Sequence, residues 1–408
     1  MSTKQQKISQ KLMTAKQKTM ITVLLGFTFG IAPLSADSLA PILPIITGDL
    51  SISIHKAQLI ISAYFAGFAF SHLFMGSLTD RFGRKPILIT SLIIYVVCSL
   101  LCTIIIHIDT ILIARVFQGF FAAASVVVGR AIIRDMFEDK EVIKALALML
   151  ATFSIMPIIT PFIGSFFAEF FHWSWMFGFM AFYGLLIIIL ISILIPETLS
   201  LENRQSLHPV ALIANYKIIL KSRAFIAYSF GQALFFSGLF INVAVAPFVI
   251  INFLKHSPLD FSLYIASVTV GLTLGSFLSR KMINHYSALQ TENISLILMV
   301  GSGGVVAVLA YLEVWHISAL LIPMFAYNFG YGIFQPVAIS KTLKDNRQRA
   351  GTISALLGAI QFSLASALTY MVSMALGDTT LNMSLFILVL SFIGFVIVKT
   401  IAPRDQNI

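Results

Sequence analysis

The stretch Gly76-Ser-Leu-Thr-Asp80-Arg81-Phe-Gly83-Arg84-Lys85-Pro-Ile-Leu sets an acid, three bases and two glycines in a short turn between two apolar runs, 56–78 and 86–106. Gly76 lets one helix approach another closely, and Gly83 permits a tight turn. An apolar run of about 20 residues is what the hydrocarbon core of a bilayer demands of a helix. The turn therefore reads as the polar connection between two membrane-crossing helices, and the chain on either side reads in the same way.

Further apolar runs follow at 19–40, 110–132, 143–168, 172–195, 224–251, 261–283, 291–311, 315–337, 350–374 and 380–401, which makes twelve in all. The composition agrees: 58% of residues are hydrophobic and only 11% charged, against roughly a quarter charged in a soluble domain. So few charges could not cover a water-facing surface. Period-2 alternation is absent, which argues against a transmembrane β-barrel. The first run follows Lys4, Lys7, Lys11, Lys16 and Lys18 and superficially resembles a signal peptide. It is too long for one, no small-x-small cleavage site follows, and it reads as a retained first helix.

The basic residues fix an orientation. Of the 27 Lys and Arg, all but Lys56, Lys255 and Arg115 fall on one side: the tail lysines, Arg81 to Lys85, Arg130 to Lys144, Arg204 to Arg223, Arg280 and Lys281, Lys341 to Arg349, and Lys399 with Arg404. This asymmetry, with an even number of spans, places both termini in the cytoplasm of an inner-membrane protein. The net charge of +10 is thus a topology signal and implies no nucleic-acid partner. The longest connection, 197–223, divides the chain, and Pro209 to Leu220 reads as an amphipathic helix at the membrane surface. The expected fold is an all-α membrane protein of 12 transmembrane helices in two pseudo-symmetric six-helix bundles. Its parts are a tail 1–18, a bundle 19–196, the linker 197–223, a bundle 224–402 and a tail 403–408. Gly275-Ser-Phe-Leu-Ser279-Arg280 at the end of the eighth run echoes Gly76 to Arg81 without the acid. Such a parallel repeat places a substrate site between the halves.

The Gly76 to Lys85 turn resembles the signature loop of the major facilitator superfamily, with every expected Gly and charged position present. Three segments resemble the drug:proton antiporter branch: Ile111-Leu-Ile-Ala-Arg115-Val-Phe-Gln118-Gly119, Met156-Pro157-Ile-Ile-Thr160-Pro161-Phe-Ile-Gly164-Ser165, and Pro196-Glu197-Thr198. In the second, Thr160 stands where Gly often precedes Pro, and Ser165 replaces a second Gly. Asp37 with Leu39-Ala-Pro41-Ile-Leu-Pro44, Arg134-Asp135, Ala246-Pro247-Phe248 and Ala350-Gly351 to Gly358 are most like the bacterial Bcr/CflA multidrug efflux subfamily. The resemblance covers nearly the whole chain and implies the major facilitator fold, a monomer, and proton-driven export of small organic molecules. It also implies that Gly76, Asp80, Arg81, Gly83, Arg84 and Lys85 latch the halves together on the cytoplasmic face when the protein opens outward. Asp80 can accept from a helix N-terminus or from arginines at the end of the fourth run, Arg130 and Arg134 being the candidates. Pro157, Pro161 and Gly164 carry the antiporter motif.

A charge inside a span costs about 2.5–3.5 kcal/mol, so Asp37 and Arg115 stand out. Asp37 lies in the distal part of the first run between Pro33 and Pro41, which loosen the helix toward a cavity. An acid there can trade its proton for a cationic or neutral substrate; alternatively it sits in water at the outer interface. Arg115 lies about 9 Å below the outer loop; its guanidinium stays charged and needs acceptors within the bundle. The resemblance gives it a role in proton transfer, and a clamp onto carbonyls or Gln118 is the alternative. His72 stands where relatives usually carry Gln; it either supplements Asp37 or bonds across a helix interface. Gln118, Asn242, Gln335 and Gln361 with Tyr64, Phe235, Phe236, Tyr327 and Tyr331 are the candidate lining of a permissive cavity for lipophilic compounds, and helix packing is the competing use.

A dedicated carrier of one physiological solute, such as a siderophore or metabolite, fits the same residues. An enzyme does not: there is no H-E-x-x-H, G-x-S-x-G or P-loop, and His55, His107, His172, His256 and His316 flank spans without ligand spacing. Cys98 and Cys102 share a helix face and read as a redox or half-metal pair or as small apolar fillers. No cofactor and no metal are expected; the partners are the lipid bilayer, protons and a small organic solute.

Overall fold

The computed structural model describes residues 14–204, 209–344, 349–375 and 380–403. Lys4, Lys7, Lys11, Arg347 and Arg404, which enter the charge count, lie outside them. Twelve helices are long and apolar enough to cross a membrane: Ala15–Asp49, Ile54–Phe82, Arg84–Ile104, Ile108–Met136, Glu141–Phe170, Trp175–Leu194, Arg223–Phe253, Pro258–Ile283, Ala288–Tyr311, Ile317–Leu343, Gly351–Met374 and Thr380–Ile401. They are numbered here as spans one to twelve. Among the described residues there is no strand.

Several helices run past the apolar runs that announce them. Span two continues to Phe82, span four to Met136 and the helix of span ten to Lys344. Asp80, Arg81, Arg130, Arg134, Asp135 and Lys341 thus occupy last helical turns rather than loops. Hydropathy detects only the stretch that lipid surrounds; beyond it the backbone ladder continues while the side chains turn polar. Span one is also longer than expected, but interrupted. An α-helix over Ala15–Phe29 gives way to Ile31–Ala36, then a 3-10 turn over Ala40–Ile42 and a last helix Leu43–Asp49. Pro33, Pro41 and Pro44 lack the N–H that a continuous ladder needs. Asp37 caps the second segment, well inside the span, with its N–H donating to Pro33 O at 2.8 Å. Span seven is irregular too, turning to a π-helix over Phe248–Phe253 after Pro247.

Spans two and four cross closely because each offers a glycine to the other. A side chain on Gly67 would collide with Val116 O, and one on Gly119 with Tyr64 O. Spans eight and ten repeat the arrangement, Gly275 lying against Phe329 O and Gly332 against Leu272 O. Gly275 stands as many residues from Gly67 as Leu272 does from Tyr64, and Gly332 as many from Gly119 as Phe329 from Val116. The two halves are therefore copies of one six-helix plan. The register corrects the sequence echo: the counterpart of Gly275 is Gly67, not Gly76.

The halves meet where span two packs on span eleven and span five on span eight. The linker helix Pro209–Ile219 is tied to span two by Tyr216, whose hydroxyl donates to Leu73 O at 2.8 Å. Ile219 packs with Phe225, Ile353, Leu356 and Leu357. With twelve spans both ends of the chain lie on one face, called the terminal face below.

Candidate functional site

The site starts from Arg115, fully buried in span four. Its Nε donates to Ile60 O at 3.1 Å, one terminal nitrogen to Gln118 Oε1 at 2.9 Å and the other to Ser35 O at 2.8 Å. The guanidinium also lies 4.3 Å from the centre of the Tyr64 ring, a favourable cation–π placement. Gln118 passes the network on to Ser99 at 2.6 Å, and Tyr95 bonds Ser35 at 2.7 Å. A buried cation is tolerable when its donors are satisfied, and three helices supply the acceptors. Ser35 belongs to span one just before its interruption, so Arg115 holds the segment that carries Asp37. Asp37 is half-buried, and its carboxylate has, among the described residues, no hydrogen bond or ion pair.

Span five braces the same interruption. A Cβ on Gly164 would run into Ser38 O and sit 2.9 Å from Pro41. Met156 presses on Gly30, and Met149 and Thr152 on Gly26. The Pro157, Pro161 and Gly164 motif is thus the surface against which the broken part of span one rests. Near the face opposite the termini, span five also joins the second half. Ser262 donates to Pro161 O at 2.8 Å and Ser165 to Pro258 O at 2.7 Å. His55 bonds Ser373 there at 2.7 Å, closing span two on span eleven.

Between the halves runs an aromatic seam. Phe362 of span eleven stacks on Phe65 (5.6 Å, 2° between planes) and meets Phe68 edge-on at 4.7 Å. From span seven, Phe236 and Phe240 approach it at 5.4 and 6.2 Å, and Phe65 meets Phe240 at 4.2 Å. Tyr64 borders the seam on the Arg115 side, 5.2 Å from Phe65, and Tyr331 on the other, 6.1 Å from Phe236. Phe236, Phe240, Gln361 and Phe362 keep part of their surface accessible.

At the terminal face a second cluster centres on Arg84. Its guanidinium bonds Asp80 at 2.5 Å, Thr79 at 3.0 Å and Asp135 at 3.1 Å. Glu197 accepts the N–H groups of Arg84 and Lys85 at 3.0 and 3.3 Å, capping the start of span three, and Thr198 donates to Asp135 at 3.0 Å. Gly83 turns at φ 101° beside Glu197, a conformation that favours glycine. All these groups belong to the first half and the start of the linker that follows it. Gly76 and Gly351 face open space: a methyl group placed on either would meet nothing within 4 Å.

Comparison with known proteins places this architecture. The family model described as Major Facilitator Superfamily matches residues 25–370. The chain belongs to the major facilitator superfamily. It is 28% identical over 382 residues to the bicyclomycin resistance protein homolog of Haemophilus influenzae, covering 91% of this chain and 93% of that protein. It is 31% identical over 351 residues to the multidrug resistance protein MdtL of Shewanella oneidensis, covering 85% and 86%. The chloramphenicol resistance protein CraA of Acinetobacter baumannii is 26% identical over 333 residues, covering 79% of this chain and 78% of that protein. The fold matches a peptide transporter POT in complex with alafosfalin at a TM-score of 0.76 and 15% identity, over 95% of this chain and 96% of that one. It also matches a D-xylose-proton symporter at 0.74 and 14%, over 97% and 99%. The chain is a multi-pass membrane transporter of the superfamily, similar to its drug-resistance members, and not an enzyme.

Within this superfamily frame the expected site residues divide. Asp37, Arg115, Gln118 and Tyr64 gather on the first half, and Phe236, Tyr331 and Gln361 line the seam from the second. Phe235, Asn242 and Tyr327 instead hold the second half together. Tyr327 donates to Phe235 O at 2.9 Å and Tyr264 to Asn242 Oδ1 at 2.7 Å. Gln335 is half-buried. His72 packs against Gly358 and, at 5.7 Å, Phe362, with Nδ1 bonded to Phe68 O at 2.9 Å; this is a helix-interface use. Arg81 lies over Phe82 and Lys85 donates to Ser192 O at 2.8 Å. Arg130 and Arg134 are not the partners of Asp80: Arg130 lies over Phe29 at 5.4 Å and Arg134 bonds Arg130 O at 3.4 Å. The steric reason is that Arg84, one turn on from Asp80, is already within bonding reach. Cys98 and Cys102 are buried and unbridged.

Sequence reasoning missed three sets of residues. Phe65, Phe68, Phe240 and Phe362 look like any lipid-facing phenylalanine. Gln232 donates to Gln361 Oε1 at 3.0 Å. Glu292, buried in span nine, accepts from Lys341 at 2.7 Å, Tyr228 at 2.9 Å and Lys399 at 3.0 Å, with Asn293 also bonded to Lys399. A lone acid in an apolar run was the available signal for Glu292.

Proposed function

We propose that this transporter is a proton-coupled antiporter of the bacterial inner membrane that exports drugs or other small lipophilic organic molecules by alternating access. Asp37 carries the proton. The reading rests on one observation above others: the carboxylate of a half-buried residue, with no partner among the described residues, on an interrupted helix whose backbone is held by a buried arginine. An unpaired acid inside a span can load and release a proton as its surroundings change. The aromatic seam beside it suits apolar and cationic bodies, and the resistance proteins named above lend the export direction.

The halves 19–196 and 224–402, joined by 197–223, rock as units in a monomer, with the terminal face in the cytoplasm as the distribution of Lys and Arg directs. In this state the halves touch at the opposite face through Ser165, Ser262, His55 and Ser373, while Gly76 and Gly351 stand free, as suits an inward-facing form. Closure of the cytoplasmic side brings the Arg84 cluster against the start of span eleven and latches it. The test is flux into proteoliposomes under an imposed pH gradient with a panel of dyes, antibiotics and siderophores. Solute movement driven by the gradient and lost in Asp37→Asn is expected. Flux indifferent to the gradient overturns the coupling, and flux of a single physiological solute overturns the breadth.

A further inference from the structure

The two halves carry different chemistry at the level of the seam. The first supplies ions, Asp37 and Arg115. In the second, the charged residues of the spans, Arg223, Asp260, Arg280, Lys281, Glu292, Lys341 and Lys399, lie toward span ends, and the seam borders only neutral polar groups. Gln232, Phe236 and Phe240 follow one another at four-residue steps and share a face of span seven. Gln232 Nε2 donates to Gln361 Oε1 at 3.0 Å across spans seven and eleven. That bond fixes the Gln361 amide beside Phe362 and leaves its Nε2 hydrogens without an acceptor among the described residues. Behind it, the Gln232 side chain and the Tyr331 hydroxyl are buried, at 3% and 1% residue exposure, and lie against each other. A polar group is normally paired when it is removed from water, and one left without a partner costs free energy. The unused Gln361 Nε2 donor, partly accessible at one end of an aromatic surface, is capacity that a bound molecule can fill.

We propose that Gln361, held in place by Gln232 and backed by Tyr331, is a hydrogen-bonding subsite for an uncharged acceptor on the substrate, such as an amide carbonyl or a hydroxyl. The inference rests on the reading of the seam as the substrate site and adds its specificity: solutes are accepted without a positive charge, by donation from the second half. A permanent cation makes no use of this donor and binds through the aromatic rings alone.

The test is equilibrium binding to the purified full-length protein, which is independent of proton coupling and direction; a fault in the export reading shows in vesicle flux instead. The probes are chloramphenicol, an uncharged amide, and tetraphenylphosphonium, a permanent cation. Gln361→Leu is expected to raise the Kd for chloramphenicol about tenfold, the loss of one hydrogen bond, and to leave that for tetraphenylphosphonium unchanged. Gln232→Leu, which frees the amide without removing it, shifts chloramphenicol in the same direction by less. Equal losses for both probes would make Gln361 a packing residue and overturn the proposal. So would chloramphenicol binding that is unchanged in Gln361→Leu, or absent from the parent protein.

Discussion

The Arg115 guanidinium donates to the carbonyl of Ser35 at 2.8 Å, two residues before Asp37 in the interrupted first span. The same side chain satisfies Ile60 O and Gln118 Oε1. Arg115→Lys keeps the charge but cannot serve three acceptors in a planar fork. It is expected to cost about 3 kcal/mol of stability, two charge-assisted bonds, and to abolish gradient-driven flux. Thermal melting in detergent and vesicle flux measure the two effects. Flux retained at the parent rate would show that the clamp is dispensable.

Gly164 and Gly76 predict opposite outcomes for the same substitution. Gly164→Ala drives a methyl into the Ser38 carbonyl and Pro41, and should lower stability by about 1–3 kcal/mol. Gly76→Ala meets nothing in this state, so melting should stay within about 0.5 kcal/mol of the parent, while the proposed latch predicts that turnover falls. Equal melting shifts for the two variants would contradict the packing described.

Asp80→Asn removes one of the two carboxylates on Arg84 and leaves Asp135. Insertion and abundance should be unchanged and turnover reduced. Cysteine pairs placed across the ends of spans two and eleven at the terminal face should cross-link less readily. Transport at the parent rate would remove the latch role.

Glu292 stands as many residues from Arg84 as Gly275 from Gly67, so the two ions occupy equivalent places with inverted sign. Acids surround Arg84, and Lys341 and Lys399 surround Glu292. Glu292→Gln leaves two lysines without their carboxylate and should destabilise by about 3 kcal/mol. Glu292→Lys combined with Lys341→Glu should recover part of that loss. Melting that is unaffected by Glu292→Gln would show that water already screens the cluster.

Asp37→Asn should bind substrate but lose its response to the pH gradient, since an amide has no proton to give. Exchange of labelled for unlabelled substrate without a gradient should persist. Loss of exchange together with coupling would assign Asp37 to substrate binding instead.

Several of these residues were legible in the chain and others were not. Asp37 and Arg115 declare themselves because ions are out of place in apolar helices, and the Gly76 to Lys85 turn because it gathers four ions between two apolar runs. His72 was equally visible, yet the structure uses it between helices, because its ring fits the gap at Gly358. Phe362 was invisible among 36 phenylalanines, since nothing local separates a ring that faces the other half from one that faces lipid. The Gly76 echo was misleading for a related reason: a short glycine–arginine pattern marks the end of a helix, whereas the true repeat is set by which glycine meets which carbonyl.

The sequence by itself determined the number of spans, the duplicated plan and the ions that a membrane would not otherwise tolerate. Hydrocarbon admits only apolar helices of sufficient length and penalises every charge placed within them. Only the tertiary structure decided which partners those ions take, which aromatics form the seam and which amide is left with a donor to offer. Those outcomes depend on the rotation and close approach of helices distant in the chain, and packing between spans fixes them while hydropathy along a span does not.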